Sequence, residues 1–404
     1  MTYEEICKFE TLYQAYLKAR KGKRSRPSTQ PYEANALACT EKVSEQLARK
    51  RYRPGEFNTF YIYEPKRRLI QAPAFVDKVV LHAIVDNALY KAITDSFVRD
   101  NAASQIGKGV EDALSRLRGH MTGYYRQHGS ADGWVVKCDV RHFFASIDHD
   151  RLKEKLLRLF ERRGLDMQIY ELLCIYIDTS EGLPLGYQTS QLLALLYLDE
   201  YDHMIKETYR CHYYGRYMDD FYMIAATKDE ARRLLAATRA WMAENKLELN
   251  GKTAIFPLRN GLDFLGFHTY LTDSGKAVMR LRRCNVNKLK SNIRYWQKAF
   301  PAGEITKEKV RDSWQAWDAH ASYGDTYALR VKYAGIVGGI IGERLQPSRR
   351  KRSTRAARHR RYLRQLRAIN RKAAARLGLP EIETGGVSIY GICETERESG
   401  GQHR

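Results

Sequence analysis

Short apolar runs and stretches of helical spacing share the chain between them. Residues 1–50 carry a helical pattern, interrupted by the polar, linker-like Lys21-Gly22-Lys23-Arg24-Ser25-Arg26-Pro27. Two β-type runs follow within residues 61–73, on either side of Pro65-Lys66. Asp77 stands before apolar positions at helical spacing and is expected to cap that helix. Residues 120–132, polar and glycine-containing, are expected to form a surface loop. Trp134-Val135-Val136-Lys137-Cys138 reads as a strand that delivers Asp139 at its C-terminal end. Leu152, Leu156, Leu157 and Phe160 then mark one helix face, with Asp148 as N-cap and Gly164 as the stop. A Pro/Gly loop at 182–191 opens a helix expected over 192–207. Residues 211–216 and 221–224, apolar and rich in aromatics, flank Tyr217-Met218-Asp219-Asp220 as a hairpin with two carboxylates at its turn. An amphipathic helix is expected over 229–245. Beyond residue 280 the pattern is helical. Val286, Leu289, Ile293, Trp296 and Phe300 share one face, and Trp314, Trp317 and Tyr323 follow as further core aromatics.

Composition narrows the setting. A chain of 404 residues with 44% hydrophobic content has room for two or three domains with ordinary cores. No run approaches the length of a membrane helix, and the start carries neither a basic nor an apolar leader pattern. The seven cysteines are scattered with no C-x₂-C pair, which argues against zinc ribbons and suits a reducing cytoplasm. A net charge of +22 calls for a polyanionic partner, nucleic acid before membrane. The charge is concentrated. Residues 349–376 hold thirteen Lys/Arg and no acid, beginning Arg349, Arg350, Lys351, Arg352, Arg355 and Arg358. Such a density repels itself in water, so phosphates are its natural neutraliser.

Adjacent aspartates at a turn repel each other unless something holds them. A divalent cation does so, because Mg²⁺ takes hard oxygen ligands and leaves positions open for phosphates. Nucleotidyl transfer asks for a further carboxylate, and Asp139 is the candidate. Tyr217-Met218-Asp219-Asp220 in this hairpin setting resembles the signature of reverse transcriptases, and other segments fall in that family's order across roughly residues 50–270. Trp134 to His149 is similar to the first palm motif, and Asn101-Ala102-Ala103-Ser104-Gln105-Ile106-Gly107-Lys108-Gly109 to the loop before a family helix. The resemblance implies catalysis by Asp139, Asp219 and Asp220, which with Val140 would form the metal site for two Mg²⁺, with Mn²⁺ as a substitute. It implies nucleotide contacts at Lys66 and Arg68 on the fingers hairpin, a steric gate for the sugar at Phe144, and a pyrophosphate contact at Lys252. Phe264, Leu265 and Gly266 fall where the family carries its primer grip.

One segment departs from the commoner relatives. Most reverse transcriptases have glutamine where this chain has Leu185, and proline where it has Gln191. Leu185-Gly186 followed by three residues and Ser190-Gln191 looks like the enzymes of diversity-generating retroelements, which copy a template RNA with frequent errors opposite adenine. An apolar side chain cannot hydrogen-bond near the nascent pair, so Leu185, Gly186 and Gln191 are the nucleotide-side residues to watch.

The expected fold class is α+β, a right-hand polymerase. Its parts are an N-terminal helical extension (1–50), fingers (51–132), a palm with an antiparallel sheet packed on helices (133–275), a helical thumb (276–345) and a basic C-terminal extension and tail (346–404). The expected function is RNA-directed DNA polymerisation of the diversity-generating type, with template RNA, cDNA product and dNTPs as partners and no membrane. An accessory partner, a small basic protein or a structured non-coding RNA, belongs to the same expectation. Two other readings stay open: an antiphage-defence reverse transcriptase making repetitive or untemplated DNA, and a non-catalytic RNA-binding scaffold. Three convergent carboxylates beside phosphates speak against the scaffold.

Overall fold

The structure, a computed structural model, describes residues 1–63 and 67–348. The N-terminal helices are α1 (Tyr3–Cys7), α2 (Phe9–Ala19), α3 (Gln30–Ala34) and α4 (Ala36–Ala48). Thr2 and Glu5 form a reciprocal capping box at the start of α1. These helices are not a separate layer. Ile6, Leu12, Tyr16 and Leu47 are buried in the same apolar cluster as Val79, Leu81, Val136 and Phe221.

Strands β1 (Asn58–Ile62) and β2 (Arg68–Ala72) pair as an antiparallel ribbon. Helix α5 (Phe75–Ile84) follows, with a π-turn leading into α6 (Tyr90–Thr94). Asp77 does not cap α5. Ala74 takes the cap position, and Asp77 lies buried within the first turn, accepting from Tyr52 Oη (2.5 Å), Tyr176 Oη (3.3 Å) and the Gly55 amide (3.1 Å). A carboxylate at such a depth needs these donors, which arrive from distant segments. Helix α7 runs Val110–His128 and ends on Gly129 in the left-handed region. It corrects the loop expected over 120–132, because Met121 and Tyr124 continue the buried face begun by Leu114 and Leu117.

The palm sheet has the order β4–β5–β3–β6, all neighbours antiparallel, from β3 (Trp134–Asp139), β4 (Tyr213–Tyr217), β5 (Asp220–Ala225) and β6 (Ala254–Pro257). Between β3 and β4 lie α8 (His149–Arg163), α9 (Met167–Ile177), α10 (Gln188–Tyr197) and α11 (Asp199–His203). Asp148 caps α8 through the Arg151 amide at 3.0 Å, and Gly164 ends it at positive φ, both as expected. The helix expected over 192–207 differs in two ways. It starts earlier, at Gln188, and it breaks at Leu198 before α11 and a π-turn at Met204–Thr208. Helix α12 (Lys228–Glu244) is capped by Thr227 and packs on β3 and β5.

A second sheet joins β7 (Leu262–Phe264), β8 (Phe267–Leu271) and β9 (Ala277–Leu281) in that order. Helices α13 (Arg283–Ala299), α14 (Lys307–Ala321) and α15 (Tyr327–Ile341) follow β9. Leu289, Ile293 and Trp296 of α13 are buried against Trp314, Tyr333 and Val337, so the thumb aromatics are core. A buried ion pair, Asp318–Arg330 at 2.7 Å, locks α14 to α15. The right-hand polymerase plan, α+β with an antiparallel palm sheet, is the architecture of this chain. The basic residues from Arg349 onward, including Arg350, Lys351, Arg352, Arg355 and Arg358, lie outside the described residues, as does Lys66.

Candidate active site

The site is built where β3 ends beside the β4–β5 turn. Asp139 is the last residue of β3 and pairs in register with Asp220, the first of β5. Tyr217 pairs with Asp220, leaving Met218-Asp219 as a two-residue turn. Met218 has φ +57°, the positive first-position φ of a tight hairpin turn, taken here by a bulky residue instead of glycine. Arg216 holds this turn from below by donating to the Met218 carbonyl at 3.0 Å. Its guanidinium forks onto Asp202 at 2.7 and 2.5 Å, both side chains fully buried, and Tyr214 Oη donates to the same carboxylate. The opposite wall is the 248–250 segment. Leu249 bridges to Val140, the Asn250 amide donates to the Asp139 carbonyl (2.7 Å), and Asn250 Nδ2 donates to Asp139 Oδ2 (3.1 Å).

The two carboxylates of the hairpin have different neighbours. Asp220 forms an ion pair with Lys137, the residue two before Asp139 on β3. Asp219 keeps company with Asp139. Burial raises its carboxyl above the ordinary range and the Asp139 charge adds to that, while its backbone hydrogen bond and the nearby Arg68 and Lys137 charges pull the other way. The Val140 amide donates to the Asp219 carbonyl at 3.3 Å, so Val140 tightens the corner with its backbone. Burial pulls the Lys137 ammonium down to about 8, despite its anionic neighbours Asp139 and Asp219.

Among the described residues no group of three or more Asp, Glu, His or Cys stands gathered as a metal cage. The donor chemistry nevertheless fits a hard divalent cation at Asp139 and Asp219, two close carboxylates of which one is pushed toward protonation when nothing neutralises it. Asp220 stands beside them, as the register partner of Asp139.

The other expected residues divide between those near this corner and those elsewhere. Arg68 is near enough for its charge to act on Asp219. Phe144 lies half-buried in a 3₁₀ turn (Phe143–Ser146) just past β3, and its carbonyl accepts from the Leu183 amide at 2.7 Å. Leu185 is 41% exposed on its loop. Gly186 is pressed on β2, where an added Cβ would stand 2.1 Å from the Gln71 carbonyl oxygen. Ser190 and Gln191 lie in the first turn of α10. Ser190 donates to the Pro184 carbonyl (2.6 Å), and Gln191 accepts from Ser104 (2.7 Å) in the loop before α7. Lys252 is exposed beside Asn250. Leu265 and Gly266, at φ +47° and +88°, form the β7–β8 turn, whose pair of positive φ values is that of a type I′ turn. Phe264 is a correction. It is buried, edge-on to Tyr222, and can touch a primer only through the turn it supports.

Sequence reasoning passed over Lys137, Arg216, Asp202 and Asn250. A signal existed for two of them. Lys137 and Asp139 are two apart on a strand and so share a face, and Arg216 is a charge inside a buried aromatic run, which demands a partner.

A palm sheet that sets Asp139 at a strand end beside the hairpin of Asp219 and Asp220, with Arg68 nearby, suits a template-directed polymerase. Residues 64–269 match the family "Reverse transcriptase (RNA-dependent DNA polymerase)", and the chain belongs to that family of RNA-directed DNA polymerases. Protein YkfC of Escherichia coli (strain K12) is 24% identical, covering 59% of this chain and 73% of that protein. Among solved structures, a telomerase from Candida albicans in complex with a fragment of telomeric RNA matches with TM-score 0.43 and 11% identity over 71% of this chain. An apo telomerase from Candida tropicalis matches with TM-score 0.42 and 12% identity, also over 71%. The chain spans 62% of the length of each of these two telomerase chains. No helix among the described residues is long and apolar enough to cross a membrane.

Proposed function

We propose that this chain copies a template RNA into cDNA with relaxed checking opposite template adenine, as enzymes of diversity-generating retroelements do. The polymerase part is supported by one observation above the rest: strand register sets Asp139 opposite Asp220, at the foot of the turn that carries Asp219, with Arg216 bracing that turn and Asn250 bracing Asp139. Divalent cations, Mg²⁺ or Mn²⁺, would activate the primer 3′-hydroxyl and neutralise the leaving pyrophosphate there. The chain's own residues do the rest by placement. Arg68 presents a fork suited to phosphate oxygens, Lys252 adds an exposed charge, and the half-buried Phe144 ring would crowd a 2′-hydroxyl. Template RNA, cDNA and dNTPs are the partners this reading requires, and a small basic protein or structured RNA its accessory.

The adenine-specific part rests on Leu185. Its exposed side chain offers no hydrogen bond, on a loop that Gly186 fastens to β2 and that Gln191 links through Ser104 to the segment before α7. Sequencing cDNA made by the purified protein on an RNA of balanced composition tests both parts. Asp219→Ala should abolish extension while RNA binding persists, because that carboxylate opposes polyanion affinity. Leu185→Gln should lower errors opposite adenine by about tenfold, equivalent to ~1.4 kcal/mol. A wild-type enzyme as faithful at adenine as at other bases would overturn the diversity-generating reading and favour a defence role.

A further inference from the structure

The chain that becomes β6 does not pair evenly along β3. Lys137 faces Ala254, and the same register carried onward would set Gly251 opposite Val140. Leu249 stands there instead, so the segment before β6 loops out by two residues beside Asp139. Bulges of this kind re-aim a side chain, and the residue at the root of this one is Asn250. Both its backbone and its side chain are engaged. The Asn250 amide donates to the Asp139 carbonyl (2.7 Å), and its carbonyl accepts from the Thr253 amide (2.9 Å). Oδ1 accepts from the Lys252 amide at 3.2 Å, and Nδ2 donates to Asp139 Oδ2 at 3.1 Å. Chemistry allows only this orientation, because a backbone N–H needs the oxygen and a carboxylate needs the nitrogen. Among the described residues no other side chain donates to the Asp139 carboxylate. One of its oxygens is thus tied to Asn250, and the other is not.

We propose that Asn250 is a positioning residue that makes Asp139 meet a cation through one oxygen, and so favours Mg²⁺ over Ca²⁺. This rests on the reading of Asp139, Asp219 and Asp220 as the cation-holding carboxylates. Mg²⁺ takes few carboxylates in near-ideal octahedral geometry, whereas Ca²⁺ accepts more oxygens and readily binds a carboxylate by both. A donor fixed on Oδ2 opposes the two-oxygen mode and leaves the one-oxygen mode untouched. The same amide group closes an Asx turn onto the backbone of Lys252, the residue read as facing the pyrophosphate. Asp139 and Lys252 are therefore tied to one side chain, and losing its donor loosens the carboxylate while the turn survives wherever the acceptor is kept.

The test uses the full-length protein with Asn250→Asp, Asn250→Ala and Asp139→Ala. Mn²⁺ titration without nucleic acid, read by electron paramagnetic resonance of the free ion, gives cation affinity. Competition by Mg²⁺ and by Ca²⁺ then gives the ratio of their affinities. Extension of a DNA primer on an RNA template with Mg²⁺ gives kcat. Asn250→Asp keeps the acceptor for the Lys252 amide and removes the donor from Asp139. It should raise the Ca²⁺ to Mg²⁺ affinity ratio by about tenfold and lower kcat by about tenfold. Asn250→Ala should move the ratio in the same direction. An unchanged ratio in either variant would overturn the proposal, because a merely structural role weakens both cations alike. A wild-type kcat in Asn250→Asp would overturn it as well and leave the side chain to the turn alone. If Asn250→Ala does not fold, Asn250→Asp decides by the same two readouts. Asp139→Ala separates the two levels. If it binds Mn²⁺ as wild type does, the cation-site reading fails and takes this proposal with it. If it loses Mn²⁺ while the Asn250 variants keep the wild-type ratio, that reading stands and only the role of Asn250 falls.

Discussion

Met218 and Leu265 each hold positive φ without the freedom of glycine, and each sits at the tip of a two-residue turn beside the site. Strain of this kind, on the order of 1–3 kcal/mol per residue, persists only where surrounding structure over-determines it. Here Arg216 fixes the Met218 carbonyl, and the Arg282 amide and Asn285 side chain both donate to the Gly266 carbonyl at 3.1 Å. Phe144 belongs to the same scale. Its ring is partly open next to the end of β3, packed edge-on against the buried Phe143. Phe144→Ala should open room at the sugar and raise ribonucleotide incorporation by about tenfold or more, a difference of ~1.4 kcal/mol. Competition between dNTPs and rNTPs on one template reads this directly, and an unchanged sugar preference with activity retained would return Phe144 to packing alone.

The β4–β5 hairpin carries the candidate carboxylates, and its anchor is electrostatic. Arg216 points from β4 into the core, where Asp202 of α11 takes the guanidinium and Tyr214 shares the carboxylate. Replacing Arg216 with Met would leave Asp202 buried without its counter-charge, a change expected to cost about 3–5 kcal/mol. It would also release the Met218 carbonyl, so activity should fall further than stability alone requires. Chemical denaturation paired with primer extension at a temperature where the variant is still folded separates the two. A destabilisation under about 1 kcal/mol would show that the pair contributes little beyond surface ion pairing. Asp100 braces the neighbouring strand edge in a similar manner. Its carboxylate gathers Arg116, His120 and Lys206, and its carbonyl accepts from the Arg216 amide.

For the chain as a whole, charge decides the partner. The thirteen basic residues of 349–376 are the densest concentration in a chain of net charge +22. Deleting the segment should weaken RNA binding and flatten its salt dependence. The slope of log affinity against log salt should drop by about 0.7 for each single-strand phosphate that the segment neutralises. Filter binding across a salt series measures this, and an unchanged slope would assign the segment to a partner other than RNA. The large buried core points to a different role for the N-terminal 50 residues. Leu12, Tyr16 and Leu47 share one apolar cluster with the palm, so truncating them should destabilise the polymerase itself.

Local periodicity and capping chemistry were enough to place the strands around Asp139 and Asp219-Asp220, the caps at Asp148 and Gly164, and the apolar face of α13. Local pattern was misleading where burial came from afar. Asp77 resembled a cap because Tyr52, Tyr176 and Gly55 are distant in sequence. Residues 120–128 resembled a loop because only Met121 and Tyr124 carry the buried face of the helix onward. How the carboxylates are set against one another was a matter for the folded chain alone. Asp219 and Asp220 are adjacent in the chain, yet the turn ends between them: Asp220 pairs in register with Asp139, and Asp219 stays in the turn. Phe264 is another case of this kind, a motif residue whose ring the fold turns inward beneath Lys137. Spacing reports which residues could meet. Which of them do meet is set by strand register and by the long-range pairs that a buried charge must find.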